Sequence, residues 1–141
     1  MKHRTLTMAL SIGFALMAGT LGVPRASAQA PGFKRVELQK HDLGTPGREA
    51  VVARGEFQPG AAAPRHTHPG EEIGFVLEGE VVVELDGQPA KTLKAGDTFF
   101  IPAGTVHTAK NTGKTAAAVI STYIVEKGKP LATPVKPRCD R

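Results

Sequence analysis

From Phe33 onward no long stretch of this chain carries the apolar recurrence of a helix. Short β-branched and aromatic runs are instead cut every few residues by glycine or proline, of which the chain holds 16 and 11. A helix needs an apolar stripe sustained over several turns, and both punctuating residues weaken one. The pattern therefore predicts an all-β chain. Strands are expected over residues 35–39, 50–58, 72–78, 81–86, 91–93, 98–101, 106–110 and 116–125, at the short, regular spacing of sandwiches and barrels. Asp86-Gly87 signals a hairpin because both residues tolerate positive φ. Gly79, Gly96, Gly104 and Gly113 punctuate other turns. A length of 141 residues suits one domain, expected over residues 33–126.

The two ends read differently. Lys2 and Arg4 precede an apolar run from Met8 to Ala18, and Ala26-Ser27-Ala28 offers a small-x-small cleavage pattern. Residues 1–28 are thus expected to be a secretory signal peptide, which makes the mature protein periplasmic or secreted. The run is short for a bilayer span, is interrupted by Gly13, Gly19 and Gly22, and ends at Pro24, so no stable membrane anchor is expected. Lys2, Arg4 and Arg25 are the charged residues of this segment, and its removal takes the formal net charge from +5 to +2. Residues 127–141 form a basic, Pro-rich tail, expected to be extended or disordered. It carries Lys127, Lys129, Lys136, Arg138 and Arg141 against Asp140 alone, leaving the body at about −2. A body of that sign gives no support to nucleic-acid binding. Cys139 is the sole cysteine, which excludes an internal disulfide.

Three of the four histidines outside residues 1–28 fall in two short segments rich in glycine and proline. The first runs Gly60, His66, His68, Glu72, Gly79. Strand residues two apart point the same way, so His66 and His68 can reach one ion together. Pro69-Gly70 then turns the chain and returns Glu72. Two imidazoles and a carboxylate on one side of an ion are the arrangement of open iron, manganese or zinc sites. The second segment runs Gly96, Pro102, Gly104, His107, Asn111, and presents one more imidazole.

Together these segments resemble the two signature motifs of the cupin superfamily in every signature position. Residues 80–95 separate them, as in short bacterial cupins. The resemblance covers residues 60–111 and implies a single-domain jelly-roll β-barrel. It further implies that His66, His68, Glu72 and His107 hold one divalent transition metal ion, whether iron, manganese, nickel, copper or zinc. Such a centre leaves positions open for water, dioxygen or substrate.

Other residues have weaker readings. Alternation from Glu72 turns Gly74 and Val76 toward the barrel, where Gly74 leaves either room for a substrate or a site of close strand approach. Ile73, Phe75 and Leu77 then form an outward apolar face, which predicts a homodimer. Arg54, Glu56 and Gln58 share a strand face opposite Ala53 and Phe57. Facing inward, Arg54 and Glu56 are candidate catalytic residues, with Arg54 as an anion clamp; facing outward, they are solvated. Tyr123 is a candidate proton donor or a core residue. Arg65 and Thr67 should point away from the ion, and His41 should lie in solvent. Asp97 and Asn111 read as turn chemistry, with Asn111 also placed to support the metal ligands.

No serine, cysteine or lysine nucleophile stands beside a base, and no phosphate-binding loop is present. Catalysis is therefore expected to run on the ion. The sequence favours a metal-dependent oxygenase acting on a small oxygen-rich molecule over a decarboxylase, lyase or isomerase. A non-catalytic module that binds a metal and a small ligand is the alternative.

Overall fold

The computed structural model describes residues 30–136, and every described regular element is a strand. The expected signal peptide and Cys139 lie outside the described residues. Ten strands form two five-stranded antiparallel sheets. The first has the order β1 (Phe33–Asp42), β2 (Arg48–Phe57), β9 (Ala117–Glu126), β4 (Gly70–Glu78), β7 (Thr98–Ile101). The second has the order β10 (Thr133–Pro134), β3 (His66–Thr67), β8 (His107–Lys110), β5 (Glu80–Leu85), β6 (Lys91–Lys94). This is the expected all-β jelly roll.

Period-two alternation decides what lies between the sheets. On β2 the inward positions are Glu49, Val51, Ala53 and Phe57. On β4 they are Gly70, Glu72, Gly74 and Val76. Phe57, Ala63, Val76, Val81, Val83, Ala117 and Val119 make one core cluster, and Val51, Ala53, Tyr123 and Val125 make a second. Outward-facing Ile73, Phe75 and Leu77 are 48%, 41% and 44% exposed, as the alternation predicts. Phe100, 56% exposed, extends that face, because it pairs with Ile73 across β4 and β7.

Local backbone chemistry fixes the turns that carry the site. Gly79 ends β4 with φ +72°, and a Cβ there would come within 2.6 Å of the Ala116 carbonyl oxygen, so no other residue fits. The hairpin expected at Asp86-Gly87 joins β5 to β6, but Asp86 does not take the positive φ expected of it. Among the described residues no non-glycine has positive φ, and Gly87 alone supplies it at +77°. Residues 86–90 form the longer loop that results. Asn111 is wholly buried. Its Nδ2 donates to the carbonyls of Phe57 and Thr115 while its Oδ1 accepts from the Gly113 amide, which ties the β8–β9 loop to β2. Asp97 accepts from the Lys94 amide in the turn before β7.

Two strands escaped the sequence pattern. Both β3 and β10 are two residues long, too short to display periodicity. The described part of the basic tail is extended but not free. Thr133 and Pro134 pair with Thr67 and His66, and Leu131 packs against the second core cluster.

Candidate metal centre

The second sheet delivers the histidines and the first delivers the carboxylate. His66 and His107 are direct cross-strand partners on β3 and β8, and His68 follows β3. Glu72 on β4 is flanked in register by Tyr123 on β9 and Ile101 on β7. His68, Glu72 and His107 are buried, while His66 is half-buried at the edge of the cavity.

Each imidazole is held in the same tautomer. With its Nδ1, His66 donates to the Pro64 carbonyl at 2.6 Å, His107 to the Thr105 carbonyl at 2.9 Å and His68 to the Leu131 carbonyl. The three Nε2 atoms are thereby left as bare lone-pair donors, the arrangement found around metal-bound histidines. Those donors converge. The Nε2 atoms of His66 and His68 lie 3.1 Å apart, and Glu72 Oε2 lies 3.0 Å from His68 Nε2 and 3.3 Å from His107 Nε2. Two donors each about 2.1 Å from one ion and at right angles to it sit about 3.0 Å apart. The three histidine donor sets lie within 4.8 Å of one another and could hold an ion. The donor set and its spacing fit a divalent transition metal.

The electrostatics point the same way. Burial, reinforced by the nearby His107, pushes the His66 imidazole down to about 4, so it stays neutral near pH 7. Burial acts to raise the Glu72 carboxyl, but the adjacent imidazoles of His107 and His68 outweigh it, aided by Ser121. Glu72 remains ionised, well below the usual carboxylate range. The Tyr123 hydroxyl is pushed up, by burial first and by Glu72 second, so it keeps its proton. Its ring stands edge-on to His68 at 4.7 Å between centroids.

The other sequence candidates divide. Tyr123 joins the centre. Arg54 and Glu56 do not, because alternation on β2 sends Ala53 and Phe57 inward and these two outward. There Arg54 pairs with Glu56 at 3.1 Å and Glu78 at 3.0 Å. Gly74 leaves no room for a substrate: its cross-strand partner Phe99 lies over it, with ring carbon Cζ 2.0 Å from where a Cβ would stand. Arg65 pairs with Asp86 away from the ligands, and His41 is exposed.

A partly open cavity lies beside His66, Glu72 and His107. Its walls are largely apolar, with Phe33, Phe57, Val83, Phe99 and Val119, and Arg35, Ser121 and Tyr123 add the polar groups. Arg35 and Ser121 were missed in the sequence. Ser121 was detectable as a small polar residue alternating with Val119 and Tyr123. Arg35 sits opposite Gly55, whose lack of a side chain keeps the cavity wall low there, and only the pairing of β1 with β2 reveals that.

Comparison with known proteins agrees with this geometry. A family model described as "Cupin domain" matches residues 53–123. Germin-like protein subfamily 2 member 2 of Arabidopsis thaliana is 40% identical over 77 residues, 51% of this chain and 35% of that protein. Oxalate oxidase 2 of Hordeum vulgare is 37% identical over 78 residues, 50% of this chain and 35% of the relative. The matched stretch thus spans about a third of these curated relatives. Among solved structures, an oxalate oxidase in complex with the substrate analogue glycolate has a TM-score of 0.56 at 31% identity, covering 76% of this chain and 55% of that one. An RmlC-like cupin from Shewanella frigidimarina has a TM-score of 0.54 at 31% identity, covering 69% of this chain and 79% of that one.

Proposed function

Because the chain belongs to the cupin family, we propose that it is a metal-dependent enzyme of the oxidoreductase type acting on a small organic acid, with His66, His68, Glu72 and His107 as the ligands of one divalent transition metal. The observation that carries this reading is the set of three imidazoles, each committed through Nδ1 to a carbonyl, whose Nε2 atoms converge with an ionised Glu72. Likeness to proteins named as oxalate oxidases, one of them in complex with the substrate analogue glycolate, supports the substrate class.

When bound, such an ion supplies Lewis acidity and, if redox-active, one-electron chemistry with dioxygen. The chain's own residues do the rest. Arg35 places a cation on the cavity wall, where it orients a carboxylate. Tyr123, kept protonated, donates a hydrogen bond within the centre rather than acting as a base. Phe33, Phe57 and Phe99 exclude water and select a compact substrate.

Reconstitution with manganese, iron, nickel, copper or zinc, followed by oxygen-electrode assays with small organic acids, tests the reading. Metal-dependent oxygen uptake is expected, lost in His107→Ala together with the metal. Full metal content in that variant would refute the ligand set. A second reading, a non-catalytic module that binds metal and a small ligand, is favoured by one observation. Among the described residues lining the cavity, Glu72 is the one carboxylate, and its place against His68, His107 and Ser121, which holds it ionised far below the usual range, leaves it a weak base. Tight ligand binding without turnover would select that reading.

The exposed face of Ile73, Phe75, Leu77 and Phe100 supports a homodimer, since an apolar patch of this kind is usually covered. The leader pattern of residues 1–28 supports export to the periplasm or beyond. Among the described residues, no helix is long and apolar enough to cross a membrane.

A further inference from the structure

The three imidazole locks are not built alike. His66 and His107 each donate to a carbonyl two residues earlier, Pro64 and Thr105, so their own loops orient them. His68 donates to the carbonyl of Leu131, 63 residues further on. That residue belongs to the segment read from sequence as a tail.

The segment is fastened on both sides of this contact. Before it, the Lys127 amide donates to the Gly47 carbonyl at 2.9 Å. After it, Thr133 and Pro134 pair with Thr67 and His66, and the Val135 amide donates to the Arg65 carbonyl at 2.9 Å. Leu131 itself packs onto the cluster of Val51, Ala53, Tyr123 and Val125, whose Tyr123 ring stands edge-on to His68. The strap therefore touches the strand that carries His66, the His68 ring just beyond it, and the cluster beneath them.

We infer that residues 130–136 are a strap that positions His68, with the Leu131 carbonyl as the positioning group, so that metal affinity depends on the C-terminal segment. The inference rests on the metal-centre reading above. Without the strap, His68 loses its Nδ1 acceptor, and its ring is free to rotate or exchange tautomer. His66 and His107 keep theirs. Loss of such a supporting contact typically lowers metal affinity about 10- to 100-fold.

The test compares the full chain, a chain ending at Pro130, and Val135→Pro, which removes the amide that fastens the strap and leaves the core untouched. Mn²⁺ and Zn²⁺ affinities are measured on each, and the ring Nδ1–H signals of the histidines are followed by NMR. The shortened chain should bind about 10- to 100-fold more weakly and lose the protected His68 signal while those of His66 and His107 persist. Val135→Pro should show a smaller loss in the same direction. Unchanged affinity and an unchanged His68 signal in the shortened chain would overturn the inference; should that chain fail to fold, Val135→Pro decides on the same criterion. A full-length chain that takes up neither ion refutes the metal reading instead.

Discussion

Gly74→Ala places one methyl group where the structure has no space. The new Cβ would stand 2.0, 2.3 and 2.4 Å from three carbons of the Phe99 ring, whereas ordinary contact starts at 3.4 Å. The ring must retreat by more than about 1 Å, and it packs against the core cluster of Val76, Val81 and Val119. Overpacking of this kind costs about 1–3 kcal/mol. Replacing a strand glycine by alanine returns about 0.5–1 kcal/mol, so a net loss of about 1 kcal/mol, at most about 2.5 kcal/mol, is expected. For a domain of this size that lowers Tm by roughly 4–8 °C per kcal/mol, readable by circular dichroism. The effect should vanish in a Phe99→Ala background, where Gly74→Ala becomes neutral or stabilising. An unchanged Tm combined with weakened substrate binding would refute the reasoning and make Gly74 a substrate-space residue after all.

Three further outcomes are expected. Glu72→Gln keeps the shape but removes the charge, and should lower metal retention at least about tenfold, by analogy with weakened ligand shells, as measured by chelator competition. Phe100→Asp, at the most exposed residue of the apolar face, should convert a dimer to a monomer in analytical ultracentrifugation without altering metal content. Finally, His66 titrates at about 4 in the metal-free fold against 6.5 in an ordinary setting. The unfolded chain therefore binds the proton first, and this residue's contribution makes the metal-free protein less stable as pH falls from 6.5 toward 4. Denaturant midpoints that stay flat across that window in metal-free protein, but not in His66→Ala, would contradict it.

All eight strands expected from the sequence are present, with ends displaced by three residues or fewer, because Val, Ile and Phe runs bounded by glycine declare both period and limits. The convergence of His66, His68, Glu72 and His107 was legible for a similar reason. Two of them obey strand alternation, and the motif resemblance supplied the others. What stayed hidden depended on long-range pairing. Arg54 and Arg35 carry the same chemistry on adjacent strands, yet only the former was weighed. Its exposure follows from Ala53 and Phe57 facing inward, whereas the place of Arg35 follows from its register against Gly55. Pairing of Thr133 and Pro134 with β3 had no local signal, since a basic Pro-rich stretch reads as solvent-facing whatever it touches.

The division of donor atoms between the two sheets has a mechanical consequence. Three imidazoles stand on one layer and Glu72 on the other. An ion held by all four would act as a rivet through the sandwich, resisting shear of one layer over the other. Loading at a hundredfold excess over Kd would then stabilise the fold by about 2.7 kcal/mol. Occupancy would thus be legible as resistance to unfolding, even before a substrate is known.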